Sequence, residues 1–271
     1  MGTSRAHLIV GGFPPGATAA HDMDYARRRL LDLLGETPGV QTTVSNDFAD
    51  IERWLPGCTF LVSYVAGPHL VGDQNDGVQE WLAAGGRWLG LHGTSGGRTG
   101  RIEGQPNARR MLKLPHHDTL GSFFLNHPPI RRFQVDVANP KHPLARGLPA
   151  SFEVSDELYF IELLDRENSH LLLTTQLPED PAPEFGFTYD EDTSLLPDNK
   201  TRALAYTRDV GRGGVAYIAL GHCHSPETNG QPFVDESVAP EGKTPLLFRG
   251  SWETDAFQRL LRNALAWGAG A

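Results

Sequence analysis

Gly90-Leu91-His92-Gly93 closes an apolar run over residues 88–91. A short apolar run of that kind reads as a buried parallel strand, and ligands of open α/β sheets bind beyond the carboxyl ends of such strands. A tight, glycine-flanked turn at that place can present a nucleophile. Here it presents a histidine, whose imidazole serves as base, acid or metal ligand. The chain has eleven histidines in 271 residues. His69 lies just beyond the apolar stretch 59–65, and His222 and His224 follow the stretch 215–220. Three strand ends therefore deliver imidazoles to one rim. Each ring alone is more often a surface or satisfied core histidine; together they point to a shared crevice. His222 and His224 would diverge on a continuing strand and converge on a metal only at a turn, which Pro226 favours. His116-His117, adjacent in an irregular stretch, reads as solvated.

Asp156-Glu157 falls within residues 152–160, where Phe152, Tyr159 and Phe160 surround two carboxylates. One reading is a solvated loop. The other is a carboxylate with a raised pKa, acting as acid or base or binding a cation. Ser95 lies three residues past His92, but a nucleophile elbow would put the serine at the turn itself, which argues against serine hydrolysis. Gly96-Gly97 is not followed by the Gly-Lys-Ser/Thr of a phosphate loop. Cys58 and Cys223 form no C-x-x-C pair, so the sequence signals neither a disulfide framework nor a thiolate zinc site, and a reducing cytoplasm is expected. Neither cysteine is expected to be a nucleophile. Trp54, Trp252, Tyr64 and Tyr159 could stack on sugar faces, although most aromatics fill core.

The elements that must position these residues follow from periodicity. Residues 7–10 and 40–44 read as strands, and Met23, Ala26, Leu30, Leu33 and Leu34 share one face of a helix that Asp22 can cap. A short helix over 48–55, a strand over 59–65 and a helix around Val78, Trp81 and Leu82 lead to the strand before His92. Such alternation implies right-handed βαβ crossovers. The expected fold is a flavodoxin-like three-layer α/β/α architecture with a mainly parallel central sheet, in a single domain over 1–271. Residues 98–129 read as a long loop excursion, and 178–200 as an acidic surface insertion. Strands are expected at 130–137, 171–174, 203–207 and 215–220, and a closing helix buries Phe257, Leu260, Leu261, Ala264 and Leu265.

The chain is 39% hydrophobic and carries 33 acidic against 24 basic side chains, a net charge of −9, with no extended Lys/Arg cluster. Nucleic acid is thus not an expected partner. No stretch approaches the ~20 apolar residues of a membrane span, and residues 1–8 lack the apolar length of a signal peptide. The sequence leaves homo-oligomer formation open.

Several motifs together resemble the ThuA-like, trehalose-utilisation family of the class I glutamine-amidotransferase-like superfamily. They are Gly85-Gly86-Arg87-Trp88-Leu89-Gly90-Leu91-His92-Gly93; Leu120-Gly121 with His127-Pro128; His142-Pro143-Leu144 with Gly147-Leu148; Asp156-Glu157-Leu158-Tyr159; Gly211-Arg212-Gly213-Gly214-Val215 with Leu220-Gly221-His222; and the closing helix. The resemblance implies a flavodoxin-like fold and a pocket faced by His92, His127, Glu157 and His222. It places His92 where glutamine amidotransferases have their cysteine, so ammonia release through a thioester is not expected. It implies a role in disaccharide catabolism on a sugar or 3-keto-sugar.

The resulting expectation is a carbohydrate-processing enzyme, with His92, Glu157 and His222 catalytic and His69, Asp156 and Tyr159 binding substrate. His92, His127, His222 and His224 would hold a divalent metal, zinc being the first choice. Isomerisation, elimination and hydrolysis all stay open. The alternative is a non-catalytic carbohydrate-binding or sensing module.

Overall fold

The computed structural model describes residues 4–270. Its first half alternates strands and helices: β1 (Ser4–Gly12), α1 (Met23–Glu36), β2 (Val40–Ser45), α2 (Ile51–Trp54), β3 (Phe60–Ala66), α3 (Gly72–Ala83) and β4 (Arg87–Leu91). Then come β5 (Arg98–Ile102), β6 (Gln105–Leu112), α4 (His116–Leu120), β7 (Ser122–Asn126), β8 (Arg131–Val137), β9 (Ser151–Asp156) and β10 (Phe160–Leu163). The chain closes with β11 (Ser169–Gln176), β12 (Thr201–Val210), β13 (Gly213–Ile218) and α5 (Asp255–Ala269).

Nine strands form one sheet in the order β2-β1-β3-β4-β13-β12-β11-β8-β9. From β2 to β13 neighbours run parallel; from β13 to β9 they run antiparallel. The sheet is therefore mixed, not mainly parallel. The reason lies in the connections: β1 to β4 are separated by helices that allow parallel crossovers, whereas β12 and β13 are joined by a tight turn at Gly211, which can only reverse the chain.

Side-chain alternation along the parallel strands feeds two cores. Leu8 and Val10 of β1 and Val62 and Tyr64 of β3 pack with Leu30 and Leu34 of α1 and with Phe257, Leu260 and Leu261 of α5. Ile9, Leu61 and Val65 point the other way, toward Ile51 of α2 and Val78 and Leu82 of α3. Local capping fixes the helix starts. The Asp22 carboxylate accepts from the Tyr25 amide at 3.0 Å, and the Thr254 hydroxyl accepts from the Phe257 amide at 3.3 Å. Among the described residues no helix is long and apolar enough to cross a membrane.

Residues 98–129 are not a loop excursion. They fold into the β5–β6 hairpin, α4, and β7, which pairs antiparallel with β10. No residue of the hairpin strands is fully buried, and arginines fall on both faces, which removes the apolar alternation of a half-buried strand. The acidic stretch 178–200 is largely irregular, and its middle turns inward. Asn126 holds it there, its side-chain amide donating to the Phe185 carbonyl at 2.9 Å and its side-chain oxygen accepting from the Phe187 amide at 2.8 Å.

Candidate functional site

His92 opens the turn after β4 with a φ of 42°, a left-handed conformation that non-glycine residues adopt rarely and that clusters at functional sites. Glycine follows because a Cβ on Gly93 would lie 2.8 Å from the Val65 carbonyl oxygen. The buried ring is fixed by its Nδ1, 2.7 Å from the Ala219 carbonyl oxygen. A carbonyl only accepts, so Nδ1 carries the proton and in the neutral ring Nε2 turns a lone pair inward.

His21, in the loop before α1, obeys the same rule, with Nδ1 2.6 Å from the Ala19 carbonyl oxygen. His222 needs one more step. Its Nε2 lies 3.0 Å from His224 Nδ1, and His224 Nε2 lies 2.8 Å from the Pro245 carbonyl oxygen. That carbonyl takes the His224 proton, which leaves His224 Nδ1 as acceptor and His222 Nε2 as donor. The His222 Nδ1 lone pair therefore also faces inward.

The three inward nitrogens, His21 Nε2, His92 Nε2 and His222 Nδ1, are buried and make no hydrogen bond. Together with a Glu157 carboxylate oxygen, all four atoms lie within 4.8 Å of one another. Glu157 Oε2 is 3.1 Å from His222 Nδ1, 3.2 Å from His92 Nε2 and 4.0 Å from His21 Nε2. Its other oxygen accepts from the Gln231 side-chain amide and lies 3.8 Å from His127 Nε2.

Electrostatics separates the members. Burial would lift the Glu157 carboxyl, but His127 and His222, with contacts from His222 and His92, outweigh it and hold the group well below the usual carboxylate range. For Glu157 this corrects the expectation of a raised pKa, which burial fulfils at Asp156 instead: imidazoles from distant strands, not the neighbouring aromatic residues, dominate the surroundings of Glu157. Burial, then His222 and His92, pushes His21 down to about 3 and keeps it neutral. One carboxylate oxygen and three imidazole nitrogens around a single point form a donor set suited to a divalent transition metal, to which imidazoles bind as neutral rings.

Asp156 does not line the pocket. Fully buried, it accepts from the backbone amides of Glu157 (2.8 Å), Gly221 (2.9 Å) and His222 (2.9 Å) and from the Ser251 hydroxyl. It clamps the strand end that bears Glu157 to the loop that bears His222. Tyr64 and Trp252 brace the same loop from its other side, donating to the Gly221 carbonyl at 2.8 and 2.7 Å, so neither is a sugar platform. Ser95 is buried behind the turn, 2.7 Å from the Tyr217 hydroxyl.

A cavity of about 1110 Å³ opens onto Glu157, His21 and His127, a little above the roughly 300–1,000 Å³ usual for small-molecule sites. Tyr159 lines it while stacking on His92 at 4.0 Å, and His69 lines another part of the wall, stacked on His116 at 4.4 Å. Of the histidines singled out in the sequence, His92 and His222 meet at Glu157 and His127 stands at its edge. His224 stands behind His222, not facing Glu157. His116 and His117 are buried, contrary to the solvated reading. Sequence reasoning missed His21 and Gln231. Extending the strand-end rule to the loop after β1 would have found His21; nothing local marks Gln231.

The family model for trehalose utilisation, ThuA, matches residues 16–235, a span that contains His21, His92, His127, Glu157, His222 and Gln231. The chain belongs to the ThuA family. No curated protein sequence matches it. Among solved structures, this ThuA chain is similar to a ThuA-like protein from Bacteroides uniformis, at 17% identity and a TM-score of 0.60 over 98% of this chain and 91% of that one. It is also similar to a ThuA-like protein from Parabacteroides merdae, at 15% identity and a TM-score of 0.57 over 98% and 90%. A β-galactosidase from Rahnella matches at 14% identity and a TM-score of 0.52, over 81% of this chain but 29% of its own. At these identities the likeness is one of fold.

Proposed function

We propose that this ThuA-family protein is an enzyme that processes a sugar or 3-keto-sugar derivative in disaccharide catabolism, and that His21, His92, His222 and Glu157 hold a divalent transition metal, zinc in the first instance. On this reading the parallel half of the sheet, with helices on both faces, is a flavodoxin-like platform. The carrying observation is the set of three buried imidazole nitrogens that face one point without a hydrogen-bond partner. A polar atom so placed is costly unless something occupies that point. The outward N–H groups of the same rings donate to Ala19 and Ala219 carbonyls and to His224, the support metal-binding histidines ordinarily have.

When bound, such an ion supplies Lewis-acid stabilisation of negative charge that develops on a sugar oxygen. The chain's own groups do the rest. Glu157, held ionised, is the one carboxylate among the cavity-lining residues and would accept the substrate proton. His127 has its Nδ1 2.9 Å from the Pro128 carbonyl oxygen, so Nε2 is free to relay a proton between Glu157 and substrate. Tyr159 offers its ring beside His92, His69 offers a neutral imidazole, and Phe124, Phe185 and Phe187 keep water from the walls. Removal of a proton beside a carbonyl is common to isomerisation and elimination, and the same groups would serve hydrolysis.

The test combines elemental analysis of protein purified without chelator with turnover assays on 3-keto-disaccharides. Metal and turnover, both lost in Glu157→Gln, support the reading. Tight sugar binding with no turnover of any such substrate would instead identify a binding module.

A further inference from the structure

The β5–β6 hairpin forms one side of the cavity mouth, and its charge is unlike that of its surroundings. In a chain of net charge −9, residues 98–112 carry Arg98, Arg101, Arg109 and Arg110 against a single carboxylate, Glu103, in the hairpin turn. Nearby basic side chains are paired: Arg110 with Asp190 at 3.1 Å, Lys113 with Glu162 at 2.9 Å, and Arg202 with Asp192 at 2.7 Å. Among the described residues, Arg98, Arg101 and Arg109 make no ion pair.

Register sharpens the point. Thr99 pairs with Met111 and Arg101 with Arg109 across the hairpin, so these four residues share one face. Thr99, Arg109 and Met111 line the cavity, as does Arg98 at the hairpin base. Directly opposed like charges destabilise a β-ribbon, and among the described residues no carboxylate forms an ion pair with either. Yet the strand is held firmly: the Arg109 carbonyl accepts from the Thr188 amide at 2.8 Å, and the Arg109 guanidinium rests 5.7 Å from the Phe187 ring centroid. Glu157 is the one carboxylate among the cavity-lining residues.

We infer that the ligand of this pocket is an anionic sugar derivative, whose carboxylate or phosphate is received by Arg98 and Arg109 of the cavity wall, with Arg101 across the ribbon from Arg109 adding to their charge. The inference rests on the reading of the pocket as a carbohydrate site and adds the charge of its substrate. Guanidinium groups bind both anions through paired N–H donors, while the sugar's reacting end would reach toward Glu157.

Calorimetric titration of the protein as purified with glucose, gluconate and glucose 6-phosphate tests this. At least one anion should bind 10-fold or more tightly than glucose, and which one it is separates a carboxylate from a phosphate ligand. The double variant Arg98→Gln/Arg109→Gln should lose most of that advantage while its affinity for glucose stays the same. Arg28→Gln, an exposed arginine on α1, should change nothing, and added salt should weaken the anion alone. Equal affinity for all three compounds, no binding of any, or an anion advantage that survives in a folded double variant would overturn the inference. Titration of Glu157→Gln separates the two readings: lost metal with intact anion preference would leave this inference standing on its own.

Discussion

Two groups of buried histidines share one rim of this molecule and differ in what they face. His21, His92 and His222 surround an ionised carboxylate, with their outer N–H groups engaged by two backbone carbonyls and His224. Among the described residues no carboxylate forms an ion pair with His69, His116 or His117, and only Asp118, next in sequence to His117, acts on that ring electrostatically. His69 and His116 stack with planes 4° apart, and His117 Nε2 reaches the carbonyl oxygens of Ser95 at 3.1 Å and Gly96 at 3.0 Å. Burial, followed by His117, lowers His69 to about 3, and burial with both neighbouring rings takes His116 well below the ordinary imidazole range. Residue type and burial are alike in the two groups, but their possible chemistry is not. In-plane lone pairs that converge on an anion are prepared for a cation, whereas stacked rings cannot aim their lone pairs at one point and form a neutral wall.

The largest expected effect falls on the first group alone. Glu157→Gln should cut turnover by about 100-fold to 10,000-fold, the range of a lost acid–base group, and His92→Ala should do at least as much. His116→Phe should leave both metal content and turnover near the parent values. Loss of metal in His116→Phe would erase the distinction between the groups. A smaller effect is expected behind the first group: His224→Ala removes the acceptor that fixes the His222 tautomer and should weaken metal affinity by roughly 10-fold to 100-fold, as read by competition with a chelator.

The second group should announce itself through acid sensitivity. An unfolded histidine takes a proton below pH 6.5, whereas folded His69 resists until about 3. Between those values the unfolded state binds more protons, so stability falls as pH falls through that window. His69→Phe should therefore flatten the decline in melting temperature between pH 6.5 and 4 and matter little to that slope at pH 8. An unchanged slope would show that the ring is already protonated or solvated.

The smallest effect is expected at the cysteines. Burial pushes Cys223 up to about 12 and Cys58 to about 11, and Cys223 turns away from its histidine neighbours toward the Tyr64 hydroxyl at 3.8 Å. Cys223→Ser should retain whatever turnover the parent shows, and iodoacetamide should leave that turnover intact. Inactivation that this variant escapes would place a thiol in the site.

Much of the first group was legible in the sequence because strand ends are legible: the apolar runs before His92 and His222 are buried neighbours in the sheet, β4 beside β13. His21 was not, since it sits in an irregular loop where periodicity carries no signal. Glu157 was found but its charge was misjudged, because its sequence neighbours are apolar while the groups that set its ionisation come from other strands. Asp156 looked like a partner of substrate and is a clamp on backbone amides. The β5–β6 hairpin was read as loop because arginines fall on both its faces, and the antiparallel half of the sheet was underestimated although no helical pattern separates its strands.

The most direct test of the difference between the two groups is elemental analysis of chelator-free preparations of the parent protein, Glu157→Gln and His69→Phe, each checked for folding. A divalent transition metal is expected at near one equivalent per chain in the parent and in His69→Phe, and its loss is expected in Glu157→Gln. A metal retained at full occupancy in Glu157→Gln, or a fully active parent protein with no metal, would contradict that expectation.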